Sequence, residues 1–99
     1  MPTISVNGIE LFYSELGSGE QTIVFAHGLL MDSSMWDFVT PHFADTYRMI
    51  CFDFRGQGHS QDPGQGYAID SLVEDTAALI KALSDRPVHY VGLSMGGMV

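Results

Sequence analysis

The 99-residue chain contains little positive charge, a single cysteine and no long apolar run. Four Lys and Arg residues stand against twelve Asp and Glu residues, which gives a formal net charge of -8. This acidic balance argues against a nucleic acid or an anionic membrane as a partner, because both bind basic surfaces. Cys51 has no second cysteine for an internal disulfide, and its apolar segment favours a buried, inert thiol.

Signals for membrane insertion and secretion are also missing from this sequence. No apolar run reaches the ~20 residues that cross a bilayer, and the start of the sequence lacks the basic and apolar regions of a secretory signal. We therefore expect a cytoplasmic protein. The hydrophobic fraction of 45 % and the charged fraction of 16 % are typical of a globular chain.

Patterns typical of metal and nucleotide sites are not found either. The four histidines are scattered, without the spacing of metal ligands. The glycines at 56 and 58 do not continue as G-x-G-x-x-G, and the glycine segment at 92–97 lacks the lysine of a P-loop. We therefore expect neither a metal nor a cofactor.

The strongest functional signal lies at residues 88–96. Apolar and β-branched residues at 88–91 predict a buried strand, and the next five residues, G-L-S-M-G, fit the pattern G-x-S-x-G. A serine at the centre of this pattern sits on a sharp strand-to-helix turn with φ > 0, a strain of about 1 to 3 kcal/mol. Gly92 and Gly96 remove the Cβ atoms that would collide there, so Ser94 is the candidate nucleophile.

The first sixteen residues predict a β-hairpin. Two alternating segments at 3–6 and 9–16 flank Asn7-Gly8, and Asn-Gly between such segments is a strong hairpin signal. The apolar segment at 22–26 is typical of a central strand covered on both faces. The hairpin therefore predicts an antiparallel edge beside a buried strand.

The segment after residue 32 predicts helical structure. Ser33 or Ser34 would cap its start, and Thr40-Pro41 resembles a second start with proline at the first helical position. Three side chains would share the face that packs on the sheet: Trp36, Val39 and Phe43.

Helical periodicity is clearest from about residue 70 to 84. Ser71 and Glu74 have the spacing of a capping box, and Pro87 follows the end. The apolar face would contain Ile69, Leu72, Val73, Thr76, Leu79, Ile80 and Leu83. The opposite face would contain Glu74, Asp75 and Lys81.

Alternating strands and helices predict an α/β fold. We expect a mostly parallel sheet with an antiparallel N-terminal hairpin and helices on both faces. The glycine-bearing loops at 27–30, 53–60 and 92–97 each begin where a strand ends. Because ligands of such sheets bind outside the carboxyl ends of the strands, these loops should rim one site.

Together these segments resemble the α/β-hydrolase family. The strand at 21–26 stops at H-G-L-L (27–30), which is similar to the family's H-G-x loop after the third strand. The strand at 47–52 stops at D-F-R-G-Q-G-H-S (53–60), which is similar to its D-x-R-G-x-G-x-S loop. With the G-x-S-x-G segment, the motifs occur in the family's order and cover essentially all of the 99 residues.

The resemblance implies acyl transfer to the Ser94 hydroxyl. It assigns the oxyanion hole to the backbone N–H groups of Leu29 and Met95. Gly28 would let the backbone turn its amide inward, and the resemblance makes His27 a residue that holds the loop. It implies no metal and no cofactor.

The implied substrate is a small carboxylic ester or lactone. The motifs look most like those of 3-oxoadipate enol-lactonases and related small carboxylesterases, while non-haem haloperoxidases or perhydrolases and carbon–carbon bond hydrolases share much of the pattern. Serine at position 94 argues against the haloalkane dehalogenase and epoxide hydrolase branches, whose nucleophile is aspartate.

The catalytic base is the component that this sequence lacks. In the family an acid and a histidine follow the nucleophile, but this sequence ends five residues after Ser94. We therefore expect residues 1–99 to be the N-terminal part of a single α/β-hydrolase domain, truncated just after the nucleophile turn. The alternative is an inactive fragment or a non-catalytic interaction module of the same fold.

The histidines in hand are poor substitutes for that base. The resemblance gives His27 a role in holding its loop, and His59 lies in a rim loop. The other two histidines fall in a helical segment and at the start of the last strand, away from the site. For Asp53 we favour a carboxylate that accepts backbone N–H bonds, and for Arg55 an ion pair that orders its loop.

Overall fold

Five strands form one mixed sheet in the computed structural model, which describes residues 3–28, 31–64 and 68–99. The strands are β1 (Thr3–Val6), β2 (Ile9–Leu16), β3 (Gln21–Ala26), β4 (Tyr47–Phe52) and β5 (His89–Gly92). Their order is β1-β2-β4-β3-β5; the last three are mutually parallel, while β2 is antiparallel to both β1 and β4. The expected α/β fold with an antiparallel N-terminal hairpin is confirmed.

The hairpin turn has the backbone that its sequence predicts. Asn7 has φ of 50° and Gly8 has φ of 79°, so both central residues are left-handed. Strand pairing continues directly to Val6 and Ile9 on either side. Such a two-residue turn matches the right-handed twist of the strands, and asparagine and glycine tolerate positive φ best.

The side chains of β3 divide the core into two clusters, one on each face of the sheet. Val24 and Ala26 pack with helix α1 (Ile69–Leu83), whereas Ile23 and Phe25 pack with Trp36. Alternate residues of a strand point to opposite faces, so β3 is covered on both sides. The central position and the helical cover on both faces are confirmed.

The segment after residue 32 forms two 3-10 turns, Ser33–Trp36 and Thr40–Phe43. The predicted cap was wrong by one or two residues, because Asp32 is the N-cap and its carboxylate accepts a bond from the Ser34 amide at 2.9 Å. Trp36 is buried and Val39 packs beside it, as expected. Phe43 is instead 38 % exposed and meets the Tyr47 ring edge-on.

Helix α1 lies where the periodicity predicts it, but its faces differ from the prediction. It begins after Ala68 with no side-chain cap, so the capping box of Ser71 and Glu74 was wrong. Val73 is 39 % exposed, whereas Asp75 is only 1 % exposed. The buried stripe contains Leu72, Asp75, Thr76 and Leu79. These residues are three or four positions apart, which is the spacing of one helix face.

Cys51 should be unreactive while the protein is folded. The thiol is buried in β4, and burial raises its pKa to about 12, so the reactive thiolate is scarce at neutral pH. We expect iodoacetamide to leave Cys51 unmodified in buffer and to alkylate it readily in urea, as measured by intact mass. Rapid alkylation under native conditions would show that β4 opens locally.

Candidate active site

Ser94 lies in a strained turn between β5 and helix α2 (Met95–Met98). Its φ is 53° and its ψ is -113°, and the side chain is exposed. The Gly96 amide donates to the Leu93 carbonyl at 2.9 Å, which closes the turn. The left-handed backbone expected for this serine is therefore present, and the hydroxyl is accessible from solvent.

The glycines beside Ser94 are required by close backbone contacts. A Cβ atom on Gly92 would collide with the carbonyl group of Gly96 and lie 2.5 Å from the Gly97 nitrogen. A Cβ atom on Gly96 would collide with the Ala26 carbonyl and lie 2.7 Å from that of His27. The turn is thus packed against its own strand and against the end of β3, where a side chain has no room.

Of the two predicted oxyanion donors, the structure describes Met95 but not Leu29. Met95 is the first residue of α2, so its N–H has no acceptor inside the helix and is available for a ligand. Leu29 lies outside the described residues, and its role stays a prediction.

The loop after β3 approaches the nucleophile turn directly. Gly28 is buried, and a Cβ atom placed on it would lie 3.8 Å from Ser94 Cβ and 3.5 Å from the Leu93 carbonyl oxygen. The Met31 amide donates to the Gly28 carbonyl at 3.2 Å, which closes a turn in this loop. The loop backbone thus lies beside the serine side chain, at a distance where a Cβ atom would make ordinary van der Waals contact.

His27 links this loop to the next one. The ring is fully buried, and its Nε2 accepts a bond from the Phe54 amide at 3.0 Å. Because an amide can only donate, Nε2 carries the lone pair and the proton resides on Nδ1. Nδ1 then donates to the Gly28 carbonyl at 2.7 Å. Nε2 thus joins two loops, while Nδ1 bonds within its own loop. Both ring nitrogens are engaged, so neither is available to take a proton from Ser94.

Asp53 holds the loop after β4 in place. Its buried carboxylate accepts bonds from the Ser33 amide at 2.6 Å and the His59 amide at 2.9 Å. The His59 ring lies 3.6 Å from the same carboxylate, but 62 % of its side chain is exposed. The expected structural role of Asp53, as an acceptor of backbone N–H bonds, is confirmed.

Arg55 forms a buried ion pair with Asp75. The sequence predicts the ion pair of Arg55 but does not identify its partner. Its Nε and Nη2 contact the two carboxylate oxygens of Asp75 at 2.5 and 2.6 Å, with side-chain exposures of 9 % and 1 %. The Asp75 carboxylate raises the pKa of Arg55 above its usual value. Asn7 also donates to Asp75 at 2.8 Å. The ion pair that orders the loop is confirmed, whereas the exposed position predicted for Asp75 was wrong.

The three glycine-bearing loops therefore meet at one rim of the sheet. His27 joins the first loop to the second, Gly28 lies beside Ser94, and Gly96 packs on the end of β3. These contacts lie at the carboxyl ends of β3, β4 and β5, as expected. The structure thus places the candidate nucleophile where ligands bind in parallel sheets.

The remaining histidines lie away from Ser94. His89 pairs with Ile23 near the amino end of β3, and its Nε2 lies 2.8 Å from the Gln21 side-chain oxygen. His42 is exposed in the second 3-10 turn. All four histidines are within the described residues, and none of them forms a hydrogen bond with the Ser94 hydroxyl.

The described parts of the chain contain neither a membrane-spanning helix nor a cluster of metal ligands. Across residues 3–28, 31–64 and 68–99, no helix is both long and apolar enough to cross a membrane. Nor do these residues contain three or more His, Cys, Asp or Glu side chains grouped as a metal site.

A mixed sheet with an exposed, strained serine at the carboxyl end of a parallel strand is typical of an α/β hydrolase, and comparison with known proteins agrees. The family model for the alpha/beta hydrolase fold matches residues 21–99. The chain belongs to the α/β-hydrolase family, which confirms the resemblance predicted from the three motifs.

Individual relatives include enzymes of two kinds. The chain is 34 % identical over 97 residues to 3-oxoadipate enol-lactonase 2 of Acinetobacter baylyi, a match that covers 97 % of this chain and 36 % of that protein. It is 38 % identical over 99 residues to a non-heme haloperoxidase of Rhodococcus erythropolis, covering 98 % and 36 %. The crystal structure of the enol-lactonase from Burkholderia xenovorans matches with a TM-score of 0.91 at 35 % identity, covering 98 % and 38 %. The chain thus spans little more than a third of each relative.

Proposed function

We propose that the protein is a serine hydrolase that acts on a carboxylic ester or lactone by acyl transfer through Ser94. The observation that carries this proposal is the exposed serine with φ of 53° at the carboxyl-end rim of the sheet. Backbone strain of this kind persists where the surrounding structure imposes it, and it is concentrated at functional sites. Similarity to an enol-lactonase supports the same reaction class.

In the proposed reaction Ser94 Oγ attacks the substrate carbonyl and forms a tetrahedral oxyanion. The Met95 N–H donates to this oxyanion together with the N–H of Leu29, and each donor stabilises the transition state by about 3 to 4 kcal/mol. The alcohol group then leaves with a proton, and water hydrolyses the acyl-enzyme. His27 keeps two rim loops joined through the bond that its Nε2 accepts from the Phe54 amide.

A general base completes this mechanism. His27 does not serve as that base, because both of its ring nitrogens are already bonded. We propose that the histidine and its acid come from the part of the protein that corresponds to the remaining length of the relatives. The small substrate would be the only partner that this reaction needs.

A fluorophosphonate probe tests the nucleophile assignment. We expect the intact protein to gain one covalent label on Ser94, because Oγ displaces fluoride from phosphorus as it would attack a carbonyl. Peptide mass spectrometry locates the label. Ser94→Ala should abolish labelling, and the matched change Ser18→Ala, at an exposed loop serine, should leave it unchanged. Labelling that survives Ser94→Ala would refute the nucleophile assignment. No labelling of the intact protein would favour the non-catalytic interaction module.

The haloperoxidase relative favours a second reaction at the same serine. Its 38 % identity supports a perhydrolase reaction, in which peroxide rather than water takes the acyl group from Ser94. The two reactions differ in their co-substrate. Turnover of an activated ester that needs no peroxide favours the hydrolase, whereas turnover that needs peroxide favours the second reaction.

A further inference from the structure

The four basic residues of the chain are all described, and none offers a free positive charge at the rim beside Ser94. Arg48 lies near the start of β4, at the opposite end of the sheet, where it pairs with a glutamate. Lys81 lies in the last turn of α1 and Arg86 precedes β5, so both are also near the amino ends of the strands. Arg55 is at the rim, but its guanidinium is buried against Asp75.

A cavity of about 480 Å³ opens at that rim. Met31 and Met35 provide its apolar wall, Asp32 and Ser34 its polar wall, and the turn at 56–58 closes the remaining side. Methionine side chains adapt to substrates of different shape. The volume is in the range of sites that bind small molecules.

The cavity adjoins the candidate nucleophile through Met31. A Cβ atom placed on Gly28 would lie 3.4 Å from the Met31 sulfur and 3.8 Å from Ser94 Cβ. The Met31 side chain and the Ser94 side chain therefore lie close to the same position. Met31 lines the cavity and is 47 % exposed. A substrate whose carbonyl lies at Ser94 can therefore extend past Met31 into the cavity.

Asp32 is the one formally charged side chain in the described lining of this cavity. Its Oδ1 accepts bonds from the Ser34 hydroxyl at 2.5 Å and the Ser34 amide at 2.9 Å. These two bonds hold the pKa of Asp32 below its usual value, so the carboxylate is ionised at neutral pH. The described cavity wall is therefore negative, and no Lys or Arg side chain lines it.

We propose that this cavity receives the acyl chain of the substrate and selects an uncharged ester or lactone over one that carries a free carboxylate. The inference rests on the proposed function, since it assumes that acyl transfer occurs at Ser94. Its physical basis is like-charge repulsion from Asp32 together with the burial of Arg55 against Asp75.

Two esters of equal length test this selectivity. 4-Nitrophenyl pentanoate and mono-4-nitrophenyl glutarate differ only in a terminal methyl group or carboxylate. We expect kcat/KM of the intact protein to favour the pentanoate about tenfold, the scale of repulsion between like charges near a protein surface. Salt at about 0.5 M should narrow the ratio, because it screens exposed charges.

Two variants distinguish the effect of the Asp32 charge from the effect of the protein's net charge on the ratio of the two rates. Asp32→Asn should narrow the ratio by about threefold or more, because the amide is neutral yet still accepts the Ser34 bond. Asp37→Asn removes one charge from the same exposed segment outside the cavity lining and should leave the ratio unchanged. Equal rates for the two esters, or a preference for the glutarate, would overturn the inference.

A binding measurement distinguishes failure of this inference from failure of the proposed function. Methyl resonances of Met31 and Met35 should shift with pentanamide and much less with glutaramate, whether or not turnover occurs. A loss of selectivity with turnover still dependent on Ser94 would refute the charge selection alone. Turnover independent of Ser94, with selective methyl shifts, would refute the nucleophile and leave the cavity's charge preference standing.

Discussion

Ser94→Gly should make the protein more stable and abolish its proposed activity. Glycine adopts φ near 53° freely, so the change relieves about 1 to 3 kcal/mol of backbone strain. The greater freedom of glycine in the unfolded chain offsets about 1 kcal/mol of this, which leaves a net gain of about 1 kcal/mol. Loss of the nucleophile should lower kcat about a millionfold. Urea unfolding and ester hydrolysis measure the two effects.

Two control variants isolate the backbone as the cause. Ser94→Ala removes the same hydroxyl but keeps a Cβ atom at positive φ, so it should show the loss of activity without the gain in stability. Ser71→Gly, in the first turn of α1, should lower stability by about 0.5 kcal/mol, because glycine has a lower helix propensity than serine. A Ser94→Gly protein no more stable than Ser94→Ala would mean that this turn stores no strain.

The structural elements that could be predicted from the sequence are those whose conformation depends on the residues within the element itself. Asn7-Gly8 sets a hairpin because these two residues accept left-handed φ, and the segments at 21–26 and 47–52 are apolar enough to be central strands. The turn at Ser94 is specified in the same way by its flanking glycines. Local chemistry was sufficient in each case.

The errors arose where a distant residue decides the local outcome. The exposed face predicted for Asp75 is wrong, because this residue follows Leu72 by three positions and precedes Leu79 by four, on the buried stripe. Its burial depends on Arg55, twenty residues earlier in the sequence. The sequence of α1 alone does not reveal this partner.

The motifs of the candidate site could be predicted from the sequence, but the residues that line the cavity beside Ser94 could not. The sequence identifies Ser94 and the glycines around it from one pattern. The cavity beside it combines Asp32 with the turn at 56–58, which are far apart in the sequence and meet only after folding. Asp32 is recognisable as a cap residue once the 3-10 turn is known to begin at Ser33.

Asp75→Ala should be strongly destabilising. It leaves the Arg55 guanidinium buried without this carboxylate, which typically costs about 3 to 5 kcal/mol of unfolding free energy. Native proteins typically have an unfolding free energy of about 5 to 15 kcal/mol in total, so much of the protein would unfold on mild heating. Thermal melting and urea titration measure the loss.

Removing both charges together should be less destabilising than removing Asp75 alone. This comparison shows how much of the loss comes from leaving Arg55 buried without its partner. Arg55→Met with Asp75→Leu should recover at least part of the loss, because apolar side chains of similar volume need no desolvation of charge. Glu74→Ala, at the exposed neighbouring position, should change stability by less than about 0.5 kcal/mol. If Asp75→Ala were as mild as Glu74→Ala, the ion pair would be dispensable, and the loop after β4 would have to be held in place by the hydrogen bonds of Asp53 and His27 instead.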